Sequence, residues 1–330
     1  MPEPSLSAVH VNRPLTNISQ AYMQDTSDYI ADKVFPVVPV QKQSDRYFVY
    51  TKGDWFRDTA QLRAPGTESA GGGYGIDNTP SYYAPVYSIH KDVDPQIRAN
   101  SDIPLNADRD ATLWVTNQML LKREKLVVAT VMAASTWTGS TTGGDITPSP
   151  AWNAANSTPL EDITAQIWAI KQVTGKFPNR FILGARAWQV LSNHDELVQR
   201  IKYTQRGVVT TELLASLIAP PGVNDFQVLV AAAIQNTAAQ GATDSYSFIA
   251  STKDALLLYA EPNPGIMVPS AGYIFTWVGL LGAGAFGSRI SQIPTPLLGV
   301  GSVRVEGDLA FATKIVGADL GAYFLNATSS

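Results

Sequence analysis

The chain has 330 residues, 45% of them apolar, a net charge of −4 and no cysteine. That length and apolar content suffice for more than one buried core, and the missing cysteines exclude disulfides, thiolate nucleophiles and cysteine-ligated zinc. Twenty-four basic against twenty-eight acidic side chains leave no continuous basic footprint for tight nucleic-acid binding.

Met1-Pro2-Glu3-Pro4-Ser5 lacks the basic stretch and apolar core of an export signal, so the chain reads as cytoplasmic at synthesis. Residues 1 to about 45 carry short apolar patches such as Phe35-Pro36-Val37-Val38-Pro39-Val40, broken by prolines and without helical period. They read as an extended arm that lies along another surface. Arg46 to Thr51 and Tyr82 to Ile89 are rich in aromatic and β-branched residues, as strands are, and Pro85 puts the second at a sheet edge. Between them runs a loop of about thirty residues with Trp55, Arg57, Arg63 and the glycines 71–73, a length that marks a functional or disordered loop.

The clearest helix spans Ala107 to Met132, with Asn106 as its cap and Asp108 and Asp110 in the first turn. Its apolar stripe is read as Leu113, Trp114, Leu120, Leu121, Val127, Val128 and Val131, and its length is roughly 39 Å. Thr136 to Thr158 is a polar loop. Pro159 to Thr174 comes next as an amphipathic helix on Leu160, Ile163, Ile167, Trp168 and Ile170, stopped by Gly175. Phe181 to Leu183, Phe226 to Ile234 and Tyr246 to Ile249 read as strands, and Ala185 to Ser192 and Thr211 to Ile218 as short helices. Val303 to Val305, Phe311 to Val316 and Ala322 to Leu325 form a closing set of strands, which makes the class α+β.

Charge is uneven: only 12 of the 52 charged side chains fall in the 124 residues from Gly207 to Ser330. Either a deep local core or the depleted centre of an interface gives that pattern.

Motifs with chemistry are weak. Gly282-Ala283-Gly284-Ala285-Phe286-Gly287 spells a dinucleotide fingerprint with Glu306 at a suitable distance, but Pro294 and Pro296 leave no room for the helix it should open. Asn263 to Ser288 holds no charge, yet prolines and glycines interrupt it well short of a bilayer span. His10, His90 and His194 have no metal-binding spacing, and the pairs Asp92/Asp94, Asp108/Asp110 and Asp195/Glu196 suit helix ends and solvent. No catalytic, cofactor or metal site is expected. Lys122, Arg123 and Lys125 are candidates to face DNA weakly, with a solvated helix face as the alternative.

The order arm, looped-out hairpin, long helix, α+β domain and closing strands resembles the major capsid proteins of tailed bacteriophages with the Hong Kong 97-type fold. The wording of Phe35 to Val40, Tyr47 to Tyr50, Asp54 to Asp58, Arg63 to Ser69 and Asn106 to Lys125 carries the likeness. The resemblance implies an arm (1–45), an extended loop (46–90), a peripheral domain with a spine helix (91–158, helix 107–132), an axial domain (159–294) and carboxyl-terminal strands returning to the peripheral domain (295–330). It implies a self-assembling late protein that forms hexamers and pentamers in an icosahedral or prolate shell around double-stranded DNA. The partners implied are a portal protein, a separate scaffolding protein and a decoration or cement protein; no membrane is involved, and the location is the virion after assembly in the host cytoplasm. Inter-subunit contacts are expected from Trp55, Phe56, Arg57, Arg63, Glu68 and Tyr74. Some members of the family weld subunits through a lysine in the extended loop. No lysine lies between Lys52 and Lys91, so a non-covalent shell is expected. An encapsulin-like compartment subunit of the same fold is the alternative.

Overall fold

The computed structural model describes residues 23–101, 105–202, 209–265, 267–281 and 288–329. The amino-terminal segment enters through a short helix, α1 (Ala31–Val34), and a strand, β1 (Val37–Val40). Next is a hairpin in which β2 (Ser44–Arg46) pairs with β5 (Ser81–Tyr83) and β3 (Val49–Tyr50) with β4 (Ile76–Asp77), with the helical turn α2 (Lys52–Trp55) inside it. The two expected strands are thus interrupted. Pro85, lacking an N–H, separates β5 from β6 (Val86–Val93), and among the described residues β6 is an outer strand that pairs with a late strand, β14.

After α3 (Pro95–Asn100) comes the long helix α4 (Ala107–Val131). Asn106 Oδ1 accepts the Arg109 N–H at 3.0 Å and so caps it as its sequence predicts. α5 spans Pro159–Thr174 and ends at Gly175, whose φ of 73° is the left-handed stop glycine allows. Then come β7 (Arg180–Gly184), α6 (Ala185–Ser192), α7 (Asp195–Lys202), α8 (Thr211–Ile218), β8 (Gln227–Ala231), β9 (Ile234–Asn236), β10 (Tyr246–Phe248) and β11 (Ala255–Leu258). The chain closes with β12 (Gly272–Trp277), α9 (Val278–Leu281), β13 (Ser288–Pro294), β14 (Val303–Ile315) and β15 (Gly321–Phe324).

Two main sheets organise the core. In the first, β14 runs thirteen residues, flanked by β6 and β13 along its first part and paired with β12 along its last part, while β1 adds parallel to β12. The second has the order β15-β11-β7-β8. β7 and β11 are buried along their whole length, so Ala255-Leu256-Leu257-Leu258 reads as a continuous apolar run. Ile182, Leu256, Leu258 and Tyr323 point from this sheet into a core shared with α4 and β14. Phe181, Leu183, Leu257 and Phe324 point into a second core under α5, α6 and α8. One sheet therefore serves as a wall between two cores.

Several expectations need correction. The spans 303–305 and 311–316 form a single strand, because Gly307 sits where α4 crosses: a Cβ there would lie 2.5 Å from Val115 Cγ1. β12 and β13, placed by sequence with the axial segment 159–294, belong to the sheet of β14 and β6. β15, placed with the returning carboxyl strands, belongs instead to the sheet of β7 and β11. The expected span 226–234 is two strands, β8 and β9. The inward face of α4 is Ala111, Val115, Met119, Arg123, Glu124, Val127, Val128 and Val131, whereas Leu113 and Trp114 are exposed. The arm from Tyr29 to Phe35 is part of this subunit's own core, with Ile30, Val34 and Phe35 buried. Trp137 and Trp152 anchor the 136–158 loop with no exposed surface, the first through an indole N–H bond of 2.8 Å to Val131 O.

Candidate assembly surface

The sequence candidates for subunit contact occupy the hairpin loop between β3 and β4. Every residue from Trp55 to Tyr74 is exposed. The loop is nevertheless organised. Tyr50, Trp55 and Tyr74 form an aromatic cluster with ring centroids 5.6 to 6.1 Å apart, although Trp55 and Tyr74 stay 52% and 60% exposed. At the tip, Arg63 Nε donates to Thr67 O at 2.6 Å and Thr67 Oγ1 donates to Ala64 O at 2.8 Å, closing a turn around Gly66. Arg57 and Glu68 lie on the exposed stretch. Phe56 differs: its ring rests against Gly175 at the end of α5, where an added Cβ would lie 3.0 Å from the ring. Together with the Lys52–Asp319 ion pair, that contact ties the base of the loop to its own subunit and leaves the rest in water.

Exposed apolar groups of this size usually mark an interaction site. A second group lies at the β13–β14 turn, where Leu297 and Val300 are 102% and 95% exposed and Leu298 is half exposed. A third lies on the β9–β10 hairpin, where Ile234, Phe248 and Tyr246 share one face. The charge-poor stretch after Gly207 thus contains both a deep core, in β11 and β15, and exposed apolar surface.

The three basic candidates of α4 separate. Lys122 and Lys125 are exposed, with Lys122 Nζ 5.0 Å above the Tyr87 ring. Arg123 is only 6% exposed and pairs with Asp32, so it does not face DNA. Sequence reasoning could not see this, because the partner is remote in the chain.

The titratable pairs have structural partners. Arg304 grips Asp92 with bonds of 2.7 and 3.0 Å, and this contact holds the Asp92 carboxyl below its ordinary value. Asp94 caps α3 through Gln96 N–H, Asp108 pairs with Arg98, and Glu196 pairs with Arg200. Ser157 Oγ lies 2.9 Å from His194 Nε2, a spacing that suggests a nucleophile and base. However, His194 Nδ1 accepts the Glu196 N–H at 3.2 Å. The proton therefore resides on Nε2 and points at the serine, opposite to what activation needs. Among the described residues no group of three metal-ligating side chains converges, and no helix is long and apolar enough to cross a membrane. The glycine motif at 282–287 lies outside the described residues; immediately downstream of it runs strand β13, where a dinucleotide loop would open a helix.

No protein-family model matches the chain. It is 27% identical over 216 residues to the major capsid protein of Burkholderia phage BcepMu, covering 64% of this chain and 67% of that one. A phage-related protein from Bordetella bronchiseptica RB50 superposes with a TM-score of 0.67 at 20% identity, covering 92% and 93% of the two chains. The capsid of Cyanophage P-SCSP1u gives 0.59 at 11% identity over 97% and 93%. The SrpI encapsulin of Synechococcus elongatus PCC 7942 gives 0.54 at 14% identity over 100% and 98%. The chain has the Hong Kong 97-type fold, the fold of these phage capsid and encapsulin structures. Within that fold, its sequence likeness is to a phage major capsid protein.

Proposed function

We propose that this chain is the major head subunit of a tailed phage, tiling as hexamers and pentamers into a closed icosahedral or prolate shell around double-stranded DNA. The observation that carries the reading is the organised but exposed loop from Trp55 to Tyr74, fixed at its base to Gly175 at the end of α5 and, through Lys52, to Asp319. A monomer gains nothing from ordering such a loop in water, whereas a neighbour gains aromatic contact area.

The role is structural, without a catalytic step. The partners are other copies of the chain, a portal protein, a separate scaffolding protein and a decoration protein, and assembly takes place in the host cytoplasm before residence in the virion. DNA contact is weak and reads no sequence, with Lys122 and Lys125 as the remaining basic candidates on α4. The shell is non-covalent, since the loop offers no lysine past Lys52 and that one is paired with Asp319. The encapsulin superposition, which spans the whole chain, keeps a protein-filled compartment as the second reading.

Negative-stain electron microscopy of the purified chain, alone and with co-expressed scaffolding protein, tests the proposal. Shells, tubes or discrete hexamers and pentamers are expected. A monomer under both conditions overturns it. Nuclease-resistant DNA inside particles recovered from infected cells separates a phage head from a protein-filled compartment, and a ladder of covalent oligomers on a denaturing gel counts against the non-covalent shell.

A further inference from the structure

Arg123 and Glu124 lie near the middle of the long helix and face inward, 6% and 1% exposed. Adjacent buried charges are costly without partners. The partners come from a segment some ninety residues earlier. Glu124 Oε1 accepts the Ile30 N–H at 3.0 Å, and Oε2 accepts the N–H groups of Ile30 and Ala31 at 3.1 and 2.8 Å. Arg123 Nη2 meets the Asp32 carboxylate at 2.6 Å.

Ile30 is the cap position of α1 and has no side chain that can cap it. The spine helix thus supplies, from outside, acceptors for the amides of the cap residue and of the first residue of α1, donors that no residue within the helix satisfies. Arg180 Nε reaches Lys33 O at 3.3 Å, and the buried Tyr29 hydroxyl has no hydrogen-bond partner among the described residues. Upstream, the Gln24 side-chain amide brackets Ile234, donating to its carbonyl at 2.6 Å and accepting its N–H at 2.7 Å, as a strand neighbour does.

The geometry points to a latch: Glu124, aided by Arg123, clasps residues 30–32 to the spine helix and so fixes the path of residues 24–32 past β9. Glu124 and Arg123 are positioning residues. Burial pushes the Glu124 carboxyl above its ordinary value, against the pull of the two amide donors and Arg123. Holding that group ionised therefore opposes global stability. What the ionised group contributes is register, the best attested use of buried charge in a protein interior. Opening the latch is predicted to be local, freeing residues 23–34 while the sheet of β7 and β11 stays closed. The latch is a property of the single subunit. Only its consequence, correct presentation of the arm to neighbours, rests on the shell reading.

Hydrogen exchange on the full chain tests it, with wild type compared against E124Q and E124A. Glutamine keeps the volume but turns one acceptor into a donor facing donors. Both variants should speed exchange at the Ile30 and Ala31 amides by about tenfold or more, since charge-assisted bonds to two amides are lost. The amides of Ile182 and Leu257 should not change, and trypsin should cut faster after Lys33. Unchanged exchange at residues 30 and 31 overturns the latch. So does acceleration confined to E124A, which would mean that filling the space matters rather than the carboxylate, and so does equal acceleration at Ile182 and Leu257, which would mean global loosening. If E124A does not fold, E124Q alone decides. Absence of shells from the wild-type chain bears on the proposed function and leaves this exchange result untouched.

Discussion

Arg289 and Asp308 stand directly opposite one another on β13 and β14, joined by a 2.7 Å bond from Arg289 Nη2 to Asp308 Oδ2. On the other side of β14, Ser88 of β6 is also in register with Asp308 and donates to its second oxygen at 2.6 Å. One carboxylate, whose side chain is 7% exposed, therefore stitches three strands. Replacing it leaves two donors without an acceptor. Asp308→Ala should cost about 2–3 kcal/mol, and Arg289→Ala roughly 1, because Arg289 is half exposed and its loss leaves Asp308 its serine. Urea unfolding of the two variants checks the order as well as the size.

Gly184 ends β7 and begins α6, at a point where the 251–252 loop crosses against its Cα. An added Cβ would lie 2.2 Å from Ser251 O and 2.5 Å from Thr252 O. Both obstacles are backbone, and the Gly184 N–H is already committed to Asp254 O at 2.9 Å, so the strand cannot slide away. Gly184→Ala should destabilise the fold by about 3 kcal/mol. Gly144→Ala, with open space where a Cβ would stand, should change the urea midpoint little. Comparable midpoints for the two variants would contradict the close approach.

These contrasts show what sequence could reveal. The spans of α4, α5, α6 and α8 were legible because their signals are local: Asn106 before the first turn, Gly175 after the last, and apolar spacing between. The buried face of α4 was not legible. Leu113 and Trp114 look like core residues, yet the inward row passes through Arg123 and Glu124, whose partners are Asp32 and the amides of Ile30 and Ala31. Hydrophobicity alone assigns buried charges to the surface. By its sequence β14 falls into two strands, because Glu306, Gly307 and Asp308 interrupt its apolar run, although Gly307 admits the helix and Asp308 binds both neighbouring strands. Of the loop candidates, the position of Trp55 to Tyr74 was legible. The tie of Phe56 to Gly175 was not, since it joins residues far apart in the chain.

Two carboxyls give opposite pH dependences. Arg304 holds Asp92 below 3.8, so the contribution of this pair is present above that value and lost as pH falls through the lower folded value. Asp92→Asn should cost about 1 kcal/mol at neutral pH, and it should lose less stability than wild type on acidification below 3.8. Glu124 behaves in reverse. Its folded value lies above 4.5, so the folded state binds the proton more tightly, and stability falls as pH rises from 4.5 through the folded value. Glu124→Gln should flatten that part of the profile. Unfolding midpoints measured across pH 3 to 8 separate the two effects by sign, and identical profiles for wild type and Glu124→Gln would show that Glu124 does not titrate there.

The exposed loop gives the prediction closest to function. Excising Asp58 to Gly73 and bridging the ends with a short glycine-serine linker keeps β3, β4, Trp55, Tyr74 and the Phe56 contact with Gly175. None of the removed residues is buried, so thermal unfolding should stay within a few degrees of wild type, since a change of about 1 kcal/mol shifts the midpoint of a chain this size by only a few degrees. Shell formation should nevertheless be lost, because in the proposed shell the excised surface meets neighbouring subunits. Restoring the loop with Trp55→Ala and Tyr74→Ala should give an intermediate result, with particles fewer or less regular, as expected when aromatic anchors are removed from an otherwise intact contact. Normal particles from the excised chain would mean that the loop is dispensable, and subunit association would then fall to the apolar surfaces at Leu297 and Val300 and on the β9–β10 hairpin. Unfolding of the excised chain would instead mean that the loop supports its own subunit, through contacts that its exposure gives no reason to expect.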